Sequence, residues 1–132
     1  MKTLRDFFPD KLEKRAEETC ILSSRLPAFR IQAVDEERAA RIRASAMRSH
    51  NQKGMNYREI DAEANMLGLV MACVVEPDLQ NAELQAAWGV MGAESLLQKM
   101  LLPGEYAELS QAVSRICGFE EDMDKLVEQA KN

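Results

Sequence analysis

Met66-Leu67-Gly68-Leu69-Val70-Met71-Ala72-Cys73-Val74-Val75 is the stretch around which the rest of the chain must fold. It closes a segment, Asn56 to Val75, that becomes steadily more apolar along its length. The segment reads as a helix stopped by Pro77, which lacks the amide proton needed to continue it. A helix apolar around its circumference belongs at the centre of a domain or in a permanent interface. Gly68 inside it costs up to about 1 kcal/mol relative to alanine, so another element is predicted to pack closely there.

Upstream, Asp35 is placed to cap a second helix, with Glu36 and Glu37 complementing its positive end. Ala39, Ile42 and Ala46 share one face of it, and Arg38, Arg41, Arg43 and Arg48 occupy much of the rest. Such a face is either a docking surface for an acidic partner or a solvated surface of Glu–Arg pairs, and helical charge runs more often only solvate. Between the two helices, Ser49 to Met55 reads as a polar loop. It holds the sole histidine, His50, which has no neighbours suited to catalysis or metal binding. Before the arginine-rich helix, Glu18 to Arg25 and Phe29 to Val34 flank Leu26-Pro27-Ala28, and the second run alternates apolar with polar. That pattern predicts a β-hairpin. Thr3 to Lys14 reads as a short helix or turn interrupted by Pro9.

Downstream, four short helical pieces are expected. Asn81 caps Ala82 to Trp88, Gly92 precedes Ala93 to Met100, and Pro103 opens the piece through Ile116. Gly118 suits a left-handed helix end that folds Phe119 back on Val113, and Glu120, Glu121 and Asp122 open a last helix. The expected fold is mainly α within the α+β class, a compact helical domain with one N-terminal β-hairpin packed on the helices. Residues 1–132 form a single domain in this reading: a weakly structured segment 1–16, the hairpin 17–34, and a helical body 35–132 with a loop near 49–55.

Composition narrows the function classes. The 132 residues are 46% apolar and 30% charged, enough for one modest core in a soluble chain. No run approaches the roughly 18–20 apolar residues of a membrane span. The first ten residues lack the apolar core of a signal peptide, so the chain is expected to stay where it is made. Cys20, Cys73 and Cys117 are odd in number and without metal-ligand spacing; Cys73 and Cys117 read as reduced thiols acting as small hydrophobes, and Cys20 as a residue facing solvent. Residues 1–60 hold 13 Lys or Arg against 9 Asp or Glu, whereas residues 61–132 hold 4 against 13. A nucleic-acid partner is disfavoured by this balance, while head-to-tail self-association is compatible with it.

The carboxylates fall mainly in helix first turns, and the glycines have no phosphate-cradling order. Glu105 and Glu108 share a helix face but read as surface acids without a catalytic partner. No catalytic group, metal site or cofactor is predicted. Of the eight methionines, Met66, Met71, Met91 and Met100 are read as core, while Met47, Met55 and Met123 are read as exposed. A methionine-lined client groove is the alternative. The candidates for partner binding are Arg38, Arg41, Met47, Tyr106 and Met123.

Several strings, in order, resemble one family. They are Ala72-Cys73-Val74-Val75-Glu76-Pro77-Asp78-Leu79, Asn81-Ala82-Glu83-Leu84-Gln85, Gly89-Val90-Met91-Gly92-Ala93-Glu94, Leu101-Leu102-Pro103-Gly104-Glu105-Tyr106 and Gly118-Phe119. Together with Phe29-Arg30-Ile31 and Asp35-Glu36-Glu37, they are similar to the XkdN-like phage tail assembly chaperones, from about Phe29 onward. The resemblance implies a non-enzymatic protein of an infecting phage or prophage, working in the cytoplasm of the bacterial host and absent from the finished virion. Its implied partners are the tape measure protein and the tail tube protein, with no nucleic acid or membrane. A structural tail completion or terminator protein is the alternative. The resemblance also implies the two lengths that ribosomal frameshifting often gives the tail chaperones of long-tailed phages. Ala130-Lys131-Asn132 is compatible with an A-rich slip site, although Lys131 also simply complements a helix end.

Overall fold

A computed structural model describes residues 1–119. Two short 3₁₀ turns, Leu4–Phe7 and Pro9–Lys11, lead into strands β1 (Glu17–Cys20) and β2 (Phe29–Gln32). Helix α1 (Glu36–Ser45) follows, then strands β3 (Met47–Gln52) and β4 (Met55–Ile60). Helix α2 (Ala62–Cys73) runs directly into strand β5 (Val74–Glu76), and α3 (Ala82–Ala87), α4 (Ala93–Met100) and α5 (Pro103–Ile116) complete the domain. The helix expected to open at Glu120, and Met123 on it, lie outside the described residues.

The architecture corrects the expectation of a helical domain carrying one hairpin. Helices take 48% of the described residues and strands 19%, so the chain is α+β. The strands form two sheets, one of three strands in the order β1-β2-β5 and one of two strands, β3-β4. The β1–β2 pair is antiparallel, Glu17 opposite Gln32 and Cys20 opposite Phe29. Strand β5 then adds to the far side of β2, with Ile31 opposite Val74 and an irregularity between Arg30 and Ile31. Alternation sorts the faces of β2: Phe29 and Ile31 are buried, and Arg30 points outward between Glu17 and Glu76 at 3.6 and 3.8 Å.

The apolar segment is shorter as a helix than its composition implies. Asn56–Ile60 belongs to β4, and Val74 and Val75 belong to β5, leaving Ala62–Cys73 helical. Asp61 caps α2, its carboxylate accepting from the Ala64 amide at 3.1 Å. The core gathers around α2 and α5, with Leu69, Val70 and Cys73 of α2 meeting Leu109 and Val113 of α5, Leu96 and Leu97 of α4, and Phe29 and Ile31 of β2. Arg115 of α5 ties to Glu18 of β1 at 2.8 Å. At the end of α5 the Phe119 amide donates to Ser114 and the Gly118 amide to Arg115, with Gly118 at φ 87. The backbone of this cap is as expected, but the Phe119 ring does not fold back, remaining 63% exposed.

The polar loop expected at 49–55 is the tip of a β-hairpin arm. Lys53 and Gly54 both have positive φ, 54 and 80, which gives the two-residue turn whose twist matches paired strands. Six residue pairs join β3 and β4, from Met47–Ile60 to Gln52–Met55, and the His50 and Tyr57 rings stack 5.1 Å apart. Apart from half-buried Met47, every residue of the arm is exposed. At its base the Asp61 amide donates to the Ala46 carbonyl at 2.9 Å.

Gly68 is where α1 meets α2. A Cβ built there falls 2.5 Å from Cγ2 of Ile42, and that methyl sits on a β-branched side chain with little rotameric freedom. Gly68→Ala is therefore expected to destabilise the protein by about 1–2 kcal/mol, the overlap outweighing the gain in helix propensity. In an Ile42→Ala background the same change should be neutral or stabilising. Urea midpoints of the four proteins measure this, and a more stable Gly68→Ala single variant would refute the close approach. A second expectation concerns the arm. Replacing residues 48–59 by Asn-Gly, which bridges the paired Met47 and Ile60, should shift stability by no more than about 0.5 kcal/mol.

Candidate partner-binding site

Helix α2 presents two apolar faces. Leu69, Val70 and Cys73 turn into the core, whereas Ala64, Leu67, Gly68 and Met71, at i, i+3, i+4 and i+7, are only half-buried. Two cavities of about 490 and 780 Å³ lie along this second face. They share Arg48, Ala64, Leu67 and Glu94, and so adjoin along α2 as the two halves of a groove. On one side stand Arg38, Arg41, Ile42 and Ser45 of α1. On the other stand Glu94, Leu97 and Gln98 of α4, with Leu102, Pro103 and Tyr106 at the start of α5.

The walls differ in charge. Arg38 and Arg41 line the α1 side, with Arg48 at the foot of the arm. Glu94 rises from α4, and Glu63 stands at the start of α2. Arg41 is held loosely by Glu37 at 4.0 Å, and Arg48 by Asp61 at 4.0 Å. Arg38, Glu63 and Glu94 join no ion pair among the described residues. Arg43, by contrast, is engaged on α1 itself by Glu36, whose carboxyl it holds below the ordinary range.

The far wall is fixed by Glu105, a residue whose sequence position gave no hint of burial. Glu105 is buried in the first turn of α5, not a surface acid as expected. Its carboxylate accepts from Arg25 at 2.5 Å, from the Ser23 hydroxyl at 2.5 Å and from the Leu102 amide at 2.6 Å. Arg25 also donates to the Met100 carbonyl at 2.6 Å. The β1–β2 connection is thereby clamped to the α4–α5 corner. The Arg25 hydrogen bond, followed by those from Leu102 and Ser23, outweighs desolvation and holds the Glu105 carboxyl down at about 2.

The structure brings three of the five sequence candidates to the groove: Arg38 and Arg41 on one wall, Tyr106 on the other. Met47 sits half-buried at the foot of the arm and does not line it. The residues missed by sequence reasoning are Leu67 and Met71, read as part of a central helix apolar all round, and Glu94. Met66 and Met71 both line the groove, and Met91, expected in the core, is 91% exposed. Cys73 and Cys117 bring their sulfurs within 3.7 Å as free thiols. Burial, reinforced by Cys117, pushes the Cys73 thiol up to about 12, which leaves almost no thiolate for nucleophilic chemistry. Among the described residues no His, Cys, Asp or Glu cluster is placed to hold a metal ion, and no helix is long and apolar enough to cross a membrane.

A small domain with a wide, apolar-floored groove between charged walls has the build of a protein-binding module. The chain belongs to the XkdN-like phage tail assembly chaperones: the family described as phage XkdN-like tail assembly chaperone protein matches residues 4–131. The crystal structure of the protein YqbN, a structural genomics target, is similar in fold, with a TM-score of 0.75 at 19% identity. The likeness covers 91% of this chain and 99% of that one. None of the curated proteins matches the chain.

Because folding lowers the Glu105 pKa from 4.5 to about 2, its contribution to stability is complete above about pH 4.5 and is lost as pH falls toward about 2. Glu105→Gln should be less stable than the wild type at pH 7, and the gap should narrow steadily below pH 4.5. Urea midpoints of both proteins at pH 7 and pH 3 give the comparison. A gap of unchanged size at the lower pH would show that Glu105 is not clamped in solution.

Proposed function

We propose that this chain binds the tape measure protein, the tail tube protein or both during tail morphogenesis, in the cytoplasm of the bacterial host. It does so without catalysing a reaction, and it leaves before the virion is complete. The observation that carries this reading is the open stripe Ala64, Leu67, Gly68 and Met71, an apolar helix face that the described domain leaves half-covered. A long helical client displays apolar stripes of its own, which aggregate until the finished tube encloses them. Laying such a stripe along α2 removes both surfaces from water. Apolar cover supplies most of the affinity in this arrangement, and the exposed charges steer encounter and select partners. Arg38, Arg41 and Tyr106 contribute from the groove walls, and Met47 and Met123 are proposed as flanking contacts.

Two measurements test the reading together. Co-expression with each neighbouring tail protein, followed by pull-down from the clarified lysate, should recover a client in soluble form that is insoluble alone. Mass spectrometry of purified particles should find the clients without this chain. Failure to capture either client would remove the chaperone role. Stoichiometric presence in particles would instead establish a structural tail completion protein.

A further inference from the structure

The two walls of the α2 groove carry opposite charge. On the α1 side Arg38 lacks an ionic partner among the described residues and Arg41 has only the distant Glu37. Across the same cavity, Glu94 on α4 is likewise without an ionic partner among the described residues. The floor between them, Ala64 to Met71, is apolar and spans about 10 Å, roughly two helical turns. We propose that this groove holds one amphipathic helix in a single direction: its apolar stripe on α2, an acidic flank along Arg38 and Arg41, and a basic flank toward Glu94.

This rests on the reading of the chain as a binder of helical clients and adds what the client must look like. An amphipathic helix whose two flanks differ in charge is not symmetric when turned end for end. Rotating it about the floor normal keeps its stripe down but exchanges left flank for right. In the reversed pose its acids would face Glu94, and its bases would face Arg38 and Arg41. Like-charge juxtaposition disfavours that pose, and it equally disfavours helices with one sign of charge on both flanks. Depth and stripe select an amphipathic helix, and the walls select its polarity. Successive copies on one long helical client would then all point the same way.

The probe is a synthetic helix of about 18 residues with a leucine stripe at i, i+3, i+4 and i+7, Glu along one flank and Lys along the other. A second peptide exchanges Glu and Lys throughout. Each is made with a nitroxide at the amino or the carboxyl end and titrated into ¹⁵N-labelled protein. Both peptides should bind, and each label should broaden the amides at one end of α2, Ala64 or Met71, more strongly than those at the other. Exchanging the flanks should swap the ends. Arg38→Glu with Arg41→Glu, both at exposed positions, should weaken the peptides by about tenfold and favour one with Lys on both flanks. Equal broadening at both ends from either label would overturn the directional proposal while leaving the groove as the site. No peptide binding by a protein that still captures its tail client would overturn the groove as the helix site and leave the chaperone reading standing. Absence of both would remove both.

Discussion

Helix α2 must keep water from two apolar faces at once, and the arrangement of the other elements follows from how this is done. The face carrying Leu69, Val70 and Cys73 is enclosed by α4, α5 and the three-stranded sheet. Its opposite face is flanked by α1 on one side and by α4 and the start of α5 on the other, and α1 can approach because residue 68 has no side chain. Any larger residue there would drive Ile42 and its helix outward. The same close approach brings Arg38 and Arg41 to the rim of the uncovered stripe. The close packing of α1 on α2 and the position of the basic wall are thus two results of a single contact.

A second constraint acts from the far wall. Glu105 draws Ser23 and Arg25 to the Leu102 amide, which lies far from both in sequence. A buried carboxylate is tolerated only when its lone pairs are satisfied, and here a guanidinium, a hydroxyl and a helix-start amide do so. The consequence is positional. The start of α5, with Pro103 and Tyr106, is held where it closes the groove.

Local signals were legible where one residue decides the backbone. Asp35, Asn81, Pro103 and Gly118 each satisfy or terminate a helix end through their own chemistry, and the structure uses each at that end. The strand alternation of Phe29-Arg30-Ile31-Gln32 was equally direct. Strand β5 was not legible, because Val74 and Val75 continue an apolar run and only pairing with β2 reveals the change. The β3–β4 arm was masked for a different reason. Arg48-Ser49-His50-Asn51-Gln52 has little strand propensity, and its turn uses Lys53 at a positive φ instead of the asparagine that would signal it. Of the candidate site, the arginines were visible as a charged face. That α2 is open on one side, and that Glu105 is buried, depend on contacts across long stretches of chain.

No residue separates α2 from β5: Cys73 ends the helix and Val74, opposite Ile31, begins the strand. Helix and strand therefore behave mechanically as one rigid strut, since any roll of α2 would shear the β2–β5 ladder. On the proposal that the groove holds helical segments, a floor that does not roll must fit differing occupants by other means. The compliance lies in its lining, where the unbranched thioethers of Met66 and Met71 can change shape at little energetic cost. A stiff strut with a soft lining tolerates variation from one turn of an occupant to the next, as a surface must if it meets many unequal segments of a single long molecule.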